Sequence, residues 1–184
     1  MEGKYGQARR VWVMDRGVVS EENLDFLRKR GAKYIVGTTR NALKSFEKEL
    51  CGQDWAEVEF GVEVKIARHL DYGEEKFILC RSAGRKEKER AILENQIRRL
   101  DEKLQKVKTG ILAGRLKDAA QIERRLGRWL GRYPKAERLI DAEVIKNGGH
   151  PVDLKIVQRP ELTDWVEKTT GYYLLRTNLA EEDP

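Results

Sequence analysis

The apolar positions near the start of the chain form two short runs, residues 11–14 and 34–37, on either side of an amphipathic segment. The first run stops at Asp15, and Ser20 then provides a side chain that favours the start of a helix, with acids in the first turn. Gly31 predicts the end of that helix. The pattern predicts a strand–helix–strand unit of an α/β sheet. It places Asp15 at the carboxyl end of a buried strand, at the sheet mouth where ligands and metals bind.

Residues 56–67 have the two-residue period of a half-buried strand. Val58 and Val62 fall on one face of this segment, and Glu57 and Lys65 fall on the other. We expect one strand here with a β-bulge at Gly61. A turn at residues 71–74 and a returning strand at residues 77–80 would complete a β-hairpin.

The hydrophobic period lengthens to three and four residues after Arg85. The apolar residues form two helical stripes, which are separated by an interruption around Thr109, Gly110 and Gly114. The stripes consist of Leu93, Ile97, Leu100, Leu104 and Val107, and of Leu116, Ala119, Ile122, Leu126, Trp129 and Tyr133. Two amphipathic helices joined by a short turn are expected to pack as an antiparallel, coiled-coil-like hairpin.

Three further strands are predicted after the helices, at residues 139–145, 152–157 and 171–175, with a turn at residues 147–149. The fold class is therefore expected to be α/β, with β-hairpins and an inserted antiparallel α-helical hairpin. The expected organisation is a first part of the sheet in residues 1–84, the basic helical hairpin in residues 85–134, and strands that return to the sheet in residues 135–184.

The charge of the chain is concentrated in its middle third. The net charge is +6, and residues 81–140 alone contain 18 basic and 8 acidic side chains. Two basic clusters stand out: one at the base of the first helix and one along the second, namely Arg81, Arg85, Lys86, Lys88 and Arg90, and Arg124, Arg125, Arg128 and Arg132. In an antiparallel hairpin both clusters are expected to lie at the same end, next to the sheet, where they would bind DNA phosphates.

A salt-bridged, solvated coiled coil is the alternative interpretation of the helical hairpin. The pairs Glu94–Arg98 and Glu102–Lys106 have the favourable spacing of four residues and support it. Arg124–Arg128 and Arg128–Arg132 are like-charge pairs at the same spacing, and they do not support the interpretation as a salt-bridged coiled coil.

Several classes of protein are excluded by composition. With 184 residues, 40% of them hydrophobic and 37% charged, the chain is long enough to bury a core. No window approaches the apolar length of a membrane span, and residues 1–10 lack the apolar core of a signal peptide. Cys51 and Cys80, with His69 and His150, make neither a disulfide framework nor a zinc cluster. We therefore expect free thiols in a reducing cytoplasm, bacterial or archaeal, and no membrane partner.

Several segments in order carry a family resemblance. They are Val13-Met14-Asp15-Arg16-Gly17, Ser20-Glu21-Glu22-Asn23-Leu24, Tyr34-Ile35-Val36-Gly37, Trp55-Ala56-Glu57-Val58, Leu79-Cys80-Arg81-Ser82 and Gly171-Tyr172-Tyr173-Leu174-Leu175-Arg176-Thr177-Asn178-Leu179. This order resembles the second catalytic block and the following regions of DDE transposases from bacterial insertion sequences. The resemblance implies a ribonuclease H-like sheet, present in part, and an enzyme that cleaves DNA and transfers strands.

The same resemblance implies a catalytic role for Asp15 as a ligand of Mg²⁺ or Mn²⁺. Three acids hold the metals in that family, and Asp15 matches the second of them. The first acid would precede the sequence given, where the only acid before Asp15 is Glu2. The third belongs to a Tyr-x-x-Arg-x-x-x-Glu pattern that is absent after Asn178, where Glu181, Glu182 and Asp183 read as a solvated tail. The chain is therefore expected to be a central fragment that does not cut DNA alone.

Two other interpretations stay open. Asp15 could be a carboxylate that only caps the turn after its strand. The whole chain could be a non-enzymatic nucleic-acid-binding or coiled-coil interaction module with a purely structural sheet. The fragment hypothesis further predicts open sheet edges, and therefore a chain that is marginally stable or associates with itself.

Overall fold

The computed structural model describes residues 10–18 and 20–180. Within them the chain is a mixed α/β protein with a six-stranded sheet and a separate two-stranded sheet. The strands are β1 (Val11–Met14), β2 (Lys33–Gly37), β3 (Ala56–Glu59), β4 (Val62–Arg68), β5 (Lys76–Ser82), β6 (Ile140–Asn147), β7 (His150–Gln158) and β8 (Tyr172–Thr177). The α-helices are α1 (Glu21–Lys29), α2 (Glu47–Leu50), α3 (Ala83–Leu112), α4 (Ala119–Arg132), α5 (Pro134–Glu137) and α6 (Pro160–Thr169). The predictions for Glu2, Glu181, Glu182 and Asp183 lie outside the described residues.

The six-stranded sheet has the order β1-β2-β8-β5-β4-β3. Strands β1 and β2 are parallel and are joined by α1, and every other neighbouring pair is antiparallel. Because β8 runs against both β2 and β5, strands β1, β2 and β5 share one direction. Their carboxyl ends therefore lie along the same edge of the sheet.

The strand–helix–strand unit forms as the sequence predicts. Ser20 caps α1 by accepting a hydrogen bond from the backbone N–H of Asn23 at 3.2 Å. Gly31, with φ of 65°, follows the last turn of α1 in the left-handed conformation that favours glycine. Leu24, Tyr34 and Val36 are buried together and hold α1 against the sheet.

The prediction that the first strand is buried is wrong. Strand β1 lies at the edge of the sheet, and Val13 and Trp12 are 77% and 54% exposed. The sequence of this segment is apolar, but β1 pairs with β2 alone, so its other edge has no neighbour among the described residues. An apolar run by itself indicates a strand and not its position in the sheet.

The single strand predicted at residues 56–67 is in fact a hairpin of β3 and β4. Gly61 is not a bulge within a strand; it lies in the connecting turn with φ of 71°. Phe60 sits at the tip of that turn and is 98% exposed. The alternation of apolar residues continued through the turn, which hid the break.

Contacts divide the described chain into two compact units. The sheet unit contains the residues up to Lys86 together with residues 171–180, and the helical unit contains residues 87–170. This differs from the predicted boundaries, because β6 and β7 do not return to the main sheet. They form their own two-stranded sheet, and β8 alone of the strands after α4 joins the six-stranded one.

The helical unit has one apolar core. Leu100, Leu104 and Ile111 of α3 pack with Ile122 and Leu126 of α4. The core is completed by residues around α5 and from the small sheet, among them Ala136, Leu139, Val144 and Leu154. The two helices of the expected hairpin are therefore present and share this core, and β6 and β7 contribute residues to it.

The predicted interruption at Gly110 is wrong, since α3 continues through it to Leu112. A side chain at Gly110 would place its Cβ 2.8 Å from Cδ1 of Leu116. The glycine therefore gives Leu116 room to close the turn between the helices.

Two helical regions have no counterpart in the sequence-based prediction. Helix α6 begins at Pro160, and a run of 3₁₀ turns over residues 40–46 leads into α2. Both are short and carry weak apolar periodicity.

Among the described residues, no helix combines the length and apolar character that a membrane crossing requires. Both cysteines are free: Cys51 is exposed and Cys80 is buried in β5. Burial raises the pKa of the Cys80 thiol to about 11, which makes this core thiol a poor nucleophile at neutral pH.

Candidate functional site

Asp15 lies at the carboxyl end of β1, next to the carboxyl end of the parallel strand β2, and is exposed. Its Oδ1 accepts a hydrogen bond from the backbone N–H of Arg16 at 2.7 Å. Gly37 ends β2 beside it, and a Cβ there would be 3.2 Å from the Arg16 nitrogen and 3.6 Å from Asp15 Oδ1. The absence of a side chain at Gly37 therefore allows the backbone of the Asp15 turn to pack closely against the end of β2.

The described residues do not form a divalent-cation site by themselves. They contain no group of three histidine, cysteine, aspartate or glutamate side chains placed to hold a metal. Mg²⁺ prefers several oxygen ligands, and one carboxylate holds it poorly. The local hydrogen bond of Asp15 to Arg16 also fits the simpler role of a turn cap. The exposed position of Asp15 at the end of β1 is the one expected from the sequence, and among the described residues it belongs to no group of three metal-ligating side chains.

The edge of the sheet that bears Asp15 also bears Arg81, near the end of β5. Strand β5 is three positions from β1 in the sheet, a lateral distance of about 14 Å. Arg81 binds Glu63 through two nitrogen–oxygen contacts of 2.6 Å, and its guanidinium lies 4.6 Å from the ring centroid of Trp55. The hydrogen bonds to Glu63 raise the pKa of Arg81 and lower that of Glu63. A DNA phosphate would have to displace Glu63 to bind Arg81.

The other predicted DNA-binding residues of the first cluster belong to the start of α3. The guanidinium of Arg85 lies 5.1 Å from the ring centroid of Tyr173 in β8. Gly171 precedes β8 with φ of 85°, and a Cβ there would be 2.6 Å from the Cβ of Lys86. This close approach fixes the first turn of α3 against the sheet, and Lys86 remains exposed. Lys88 is exposed too, but it lies in the helical unit.

The four arginines of the second cluster all lie on α4 and are exposed: Arg124, Arg125, Arg128 and Arg132. Lys103 of α3 places its Nζ 5.0 Å from the ring centroid of Trp129, which fixes the register of the two helices. Arg90 precedes Lys103 by 13 residues on α3, a distance of about 20 Å along the helix. Within the helical unit, the expectation that both clusters meet at one end is therefore wrong for Arg90, because α4 has about half the length of α3 and its arginines do not reach Arg90.

A charged cleft of about 780 Å³ was not predicted from the sequence. Its lining includes Lys33, Lys76 and Asn178, which lie where β2 and β5 begin and β8 ends. The cleft is therefore on the edge of the sheet opposite the one that bears Asp15.

Glu75 and Arg176 are the buried centre of this cleft. Arg176 Nε donates to Glu75 Oε2 at 2.5 Å, and Tyr34 donates its hydroxyl proton to the same carboxylate. Arg28 adds a third contact to Glu75 at 3.0 Å, which raises the pKa of Arg28. Arg176 also binds Glu21 at 2.5 Å and thereby lowers the pKa of Glu21.

The lysines of the cleft donate to backbone oxygens, and its central charges pair with one another. Lys33 donates to the carbonyl of Asn178 at 3.3 Å, and Lys76 donates to the carbonyl of Ala180 at 2.7 Å. The arrangement is an ion-pair network that joins α1, β2, β5 and β8. Its partners are far apart in sequence, so no local pattern could have indicated it.

Comparison with known proteins gave no match to family models, to curated proteins or to solved structures. The resemblance to insertion-sequence transposases rests on the motifs of the chain alone.

Proposed function

We propose that the chain is the central part of a DDE-type insertion-sequence transposase with a ribonuclease H-like core. The observation that carries the proposal is the placement of Asp15. The motif that resembles the second catalytic block ends β1 with an exposed carboxylate, next to a parallel strand joined through α1. An acid at the carboxyl end of such a strand is where the chemistry of open α/β sheets is concentrated.

The sheet edge supports this function electrostatically. Arg85 and Lys86 follow β5, whose carboxyl end shares an edge with Asp15. Both side chains are exposed. A DNA backbone that passes along this edge would meet both the positive charge at the end of β5 and the carboxylate at the end of β1. The partners in this proposal are transposon ends and target DNA in a bacterial or archaeal cytoplasm, at the nucleoid.

The open edge of β1 is a second support. A strand that lies inside the complete sheet of a longer protein would show apolar side chains and unpaired backbone groups when its neighbour is missing. Val11, Trp12 and Val13 are 45%, 54% and 77% exposed. In the intact enzyme Asp15 would share Mg²⁺ or Mn²⁺ with acids from flanking segments. The described residues supply one ligand, so this chain alone is not expected to hold the metal tightly or to cleave DNA.

The experiment that tests the proposal starts from the DNA on either side of the coding segment. A transposase predicts an upstream strand that bears an acid and a downstream Tyr-x-x-Arg-x-x-x-Glu. The longer protein would then be expressed with Asp15→Asn, and with Asp164→Asn as an exposed control. Asp15→Asn should abolish cleavage of labelled transposon ends and leave DNA binding intact, while Asp164→Asn should leave both cleavage and DNA binding intact. Full cleavage by the Asp15→Asn protein would refute the proposal.

A nucleic-acid-binding or coiled-coil interaction module remains the second candidate. It is favoured by the helical unit, where Arg98 binds Glu102 at 2.7 Å in the manner of a solvated helix pair, and by the lack of companions for Asp15 among the described residues. Unrelated flanking DNA with natural ends would favour this candidate over the transposase.

A further inference from the structure

We infer that α4 is the one helix of the helical unit that contacts DNA, and that its arginine face lies along the phosphate backbone of a duplex. This inference rests on the DNA binding that the proposed function requires, and it assigns that binding to one helix and one mode. The arginine face is defined by Gln121, Arg124, Arg125, Arg128 and Arg132.

The spacing of the arginine face suits a regular polyanion. Arg124, Arg128 and Arg132 follow one another at intervals of four residues, so they rise by about 6 Å per step along the helix. Gln121 and Arg125 fall within the same third of the helix surface, since each residue turns the helix by about 100°. A shallow surface depression of about 350 Å³ is lined by Gln121, Arg124, Arg125 and Arg128. Ile122 and Leu126 occupy the opposite, buried side.

The charges of this face have no acidic partners in the part of the chain that the structure describes. Within residues 10–18 and 20–180, no carboxylate lies within ion-pair distance of Arg125, Arg128 or Arg132. Arg124 donates from Nε only to the carbonyl of Ala120, at 3.4 Å. The acid of α4, Glu123, lies away from the face and binds Lys146 at 2.6 Å. The face is therefore a concentrated positive potential that internal pairs do not neutralise.

Two glycines beside the arginines are unexplained by the fold. Gly127 and Gly131 lie inside α4 without a positive φ, and a Cβ at either would meet nothing within 4 Å. Glycine weakens a helix interior, and neither backbone geometry nor packing requires it here. On a helix surface the other use of glycine is the close approach of a ligand to the backbone. These positions flank the arginines, so a phosphate backbone could pass close to the helix there.

The aromatic residues of the helical unit favour a duplex over a single strand. Proteins that bind single strands stack bases on exposed aromatic rings. Trp129, the aromatic residue within α4, is half-buried and carries Lys103 over its ring. Arginines without a stacking surface instead suit the phosphates of a duplex, which they bind independently of sequence.

The test measures binding of a fluorescent DNA duplex to the full chain over a salt series. The test variant is the triple change Arg124→Gln, Arg128→Gln and Arg132→Gln. The control removes the same charge from exposed lysines of the sheet unit, with Lys29→Gln, Lys44→Gln and Lys48→Gln. The α4 triple should lower the slope of log Kd against log salt by about 3 and weaken binding by on the order of a hundredfold at 0.1 M salt. The control should leave the slope unchanged.

The outcomes separate this inference from the proposed function. If the wild type binds duplex and the α4 triple keeps its slope, α4 is not the contact, and DNA binding by another surface still supports the proposed function. If the wild type binds no DNA at any salt concentration, both fail. Binding that prefers a single strand of the same length over the duplex overturns the inference alone.

A substitution at Gly127 provides a second test, in which a loss of DNA affinity cannot be explained by a loss of folding. Gly127→Leu adds a helix-forming side chain beside the arginines and should raise the melting temperature while weakening duplex binding fivefold or more. Gly127→Ala is the control, because it removes the glycine from the same helix position with a side chain of a single methyl group. Unchanged affinity in a stabilised Gly127→Leu protein would show that no backbone passes close to α4 and would overturn the inference.

Discussion

The carboxylate of Glu75 and the guanidinium of Arg176 form an ion pair in the interior of the sheet unit, with Nε and Oε2 2.5 Å apart. Their side chains are 8% and 7% exposed. The pair connects the start of β5 to β8 across 101 positions of sequence. Charges buried to this degree must be paired, because water no longer stabilises them.

Removal of one partner of this pair should therefore be costly. Glu75→Ala leaves Arg176 buried beside Glu21 alone and deprives Tyr34 of its acceptor. We expect the free energy of unfolding to fall by about 3–5 kcal/mol, measured by urea denaturation. Glu74→Ala, at the exposed neighbouring position, is the control and should change it by less than about 0.5 kcal/mol. Equal effects of the two substitutions would show that the buried pair is not formed.

The stability of the sheet unit should depend on pH in the acid range. Arg176 lowers the pKa of Glu21 below its ordinary value of 4.5, and Arg81 does the same for Glu63. A carboxyl whose folded pKa is depressed contributes stability above its unfolded pKa and loses it as pH falls through the folded value. Urea midpoints should therefore be level from pH 7 to about 5 and fall below about pH 4.5. Glu21→Gln should flatten this fall, and a wild-type midpoint that is constant from pH 6 to 3 would contradict the prediction.

A charge reversal on α4 should stabilise the helical unit. Arg124, Arg128 and Arg132 repel one another at intervals of four residues. Arg128→Glu replaces two repulsive pairs with two attractive ones and should raise the free energy of unfolding by about 1 kcal/mol at low salt. Arg128→Gln removes the repulsion only and should give about half of that gain. Thermal melts at low and high salt measure the stability of both variants. A gain in stability that persists at high salt would argue against an electrostatic cause.

Two glycines should respond oppositely to alanine. Gly127 has open space and helical geometry, so Gly127→Ala should stabilise the protein by about 0.5–1 kcal/mol. Gly171 has φ of 85°, and a Cβ there would lie 2.6 Å from the Cβ of Lys86 and 2.9 Å from the Ser82 carbonyl oxygen. Gly171→Ala should cost about 2 kcal/mol or more. Urea denaturation measures both, and a neutral Gly171→Ala would contradict the tight contact between α3 and β8.

The exposed edge of β1 should make the isolated chain associate with itself. Val13→Lys places a charge on that edge, as natural edge strands do, and should shift the chain towards monomer in sedimentation velocity experiments. Leu112→Lys is the matched control, since Leu112 is 62% exposed at the end of α3. A wild type that is monomeric at all concentrations would remove the basis of this prediction.

The sequence was sufficient for the parts of the fold that local patterns determine. Ser20 and Gly31 delimit α1, and Asp15 ends β1, because caps, turns and short apolar runs act over a few residues. The position of β1 in the sheet was not predictable in this way, because burial depends on which strands are neighbours. The separation of β6 and β7 from the main sheet had the same cause, since their alternating pattern fits any partly covered sheet.

The candidate site was predicted in part for a related reason. Asp15 and the exposed arginines of α4 are visible as residue types in a local context. The ion pairs Arg81–Glu63 and Glu75–Arg176 arise from strand pairing, which brings together residues that are separated in sequence by 18 and by 101 positions. The register between α3 and α4 depended on where α4 ends, and that placed its arginines away from Arg90 of α3.

Strand β8 lies between β2 and β5, although residues 87–170 separate it from both along the chain. During synthesis the helical unit can form as soon as its own contiguous residues have emerged from the ribosome. The sheet must wait for residues 172–177, and until then β1–β2 and β3–β4–β5 are two fragments with unpaired edges. A polypeptide released with residues 1–171 alone would therefore contain the whole helical unit and a divided sheet with edges prone to aggregation.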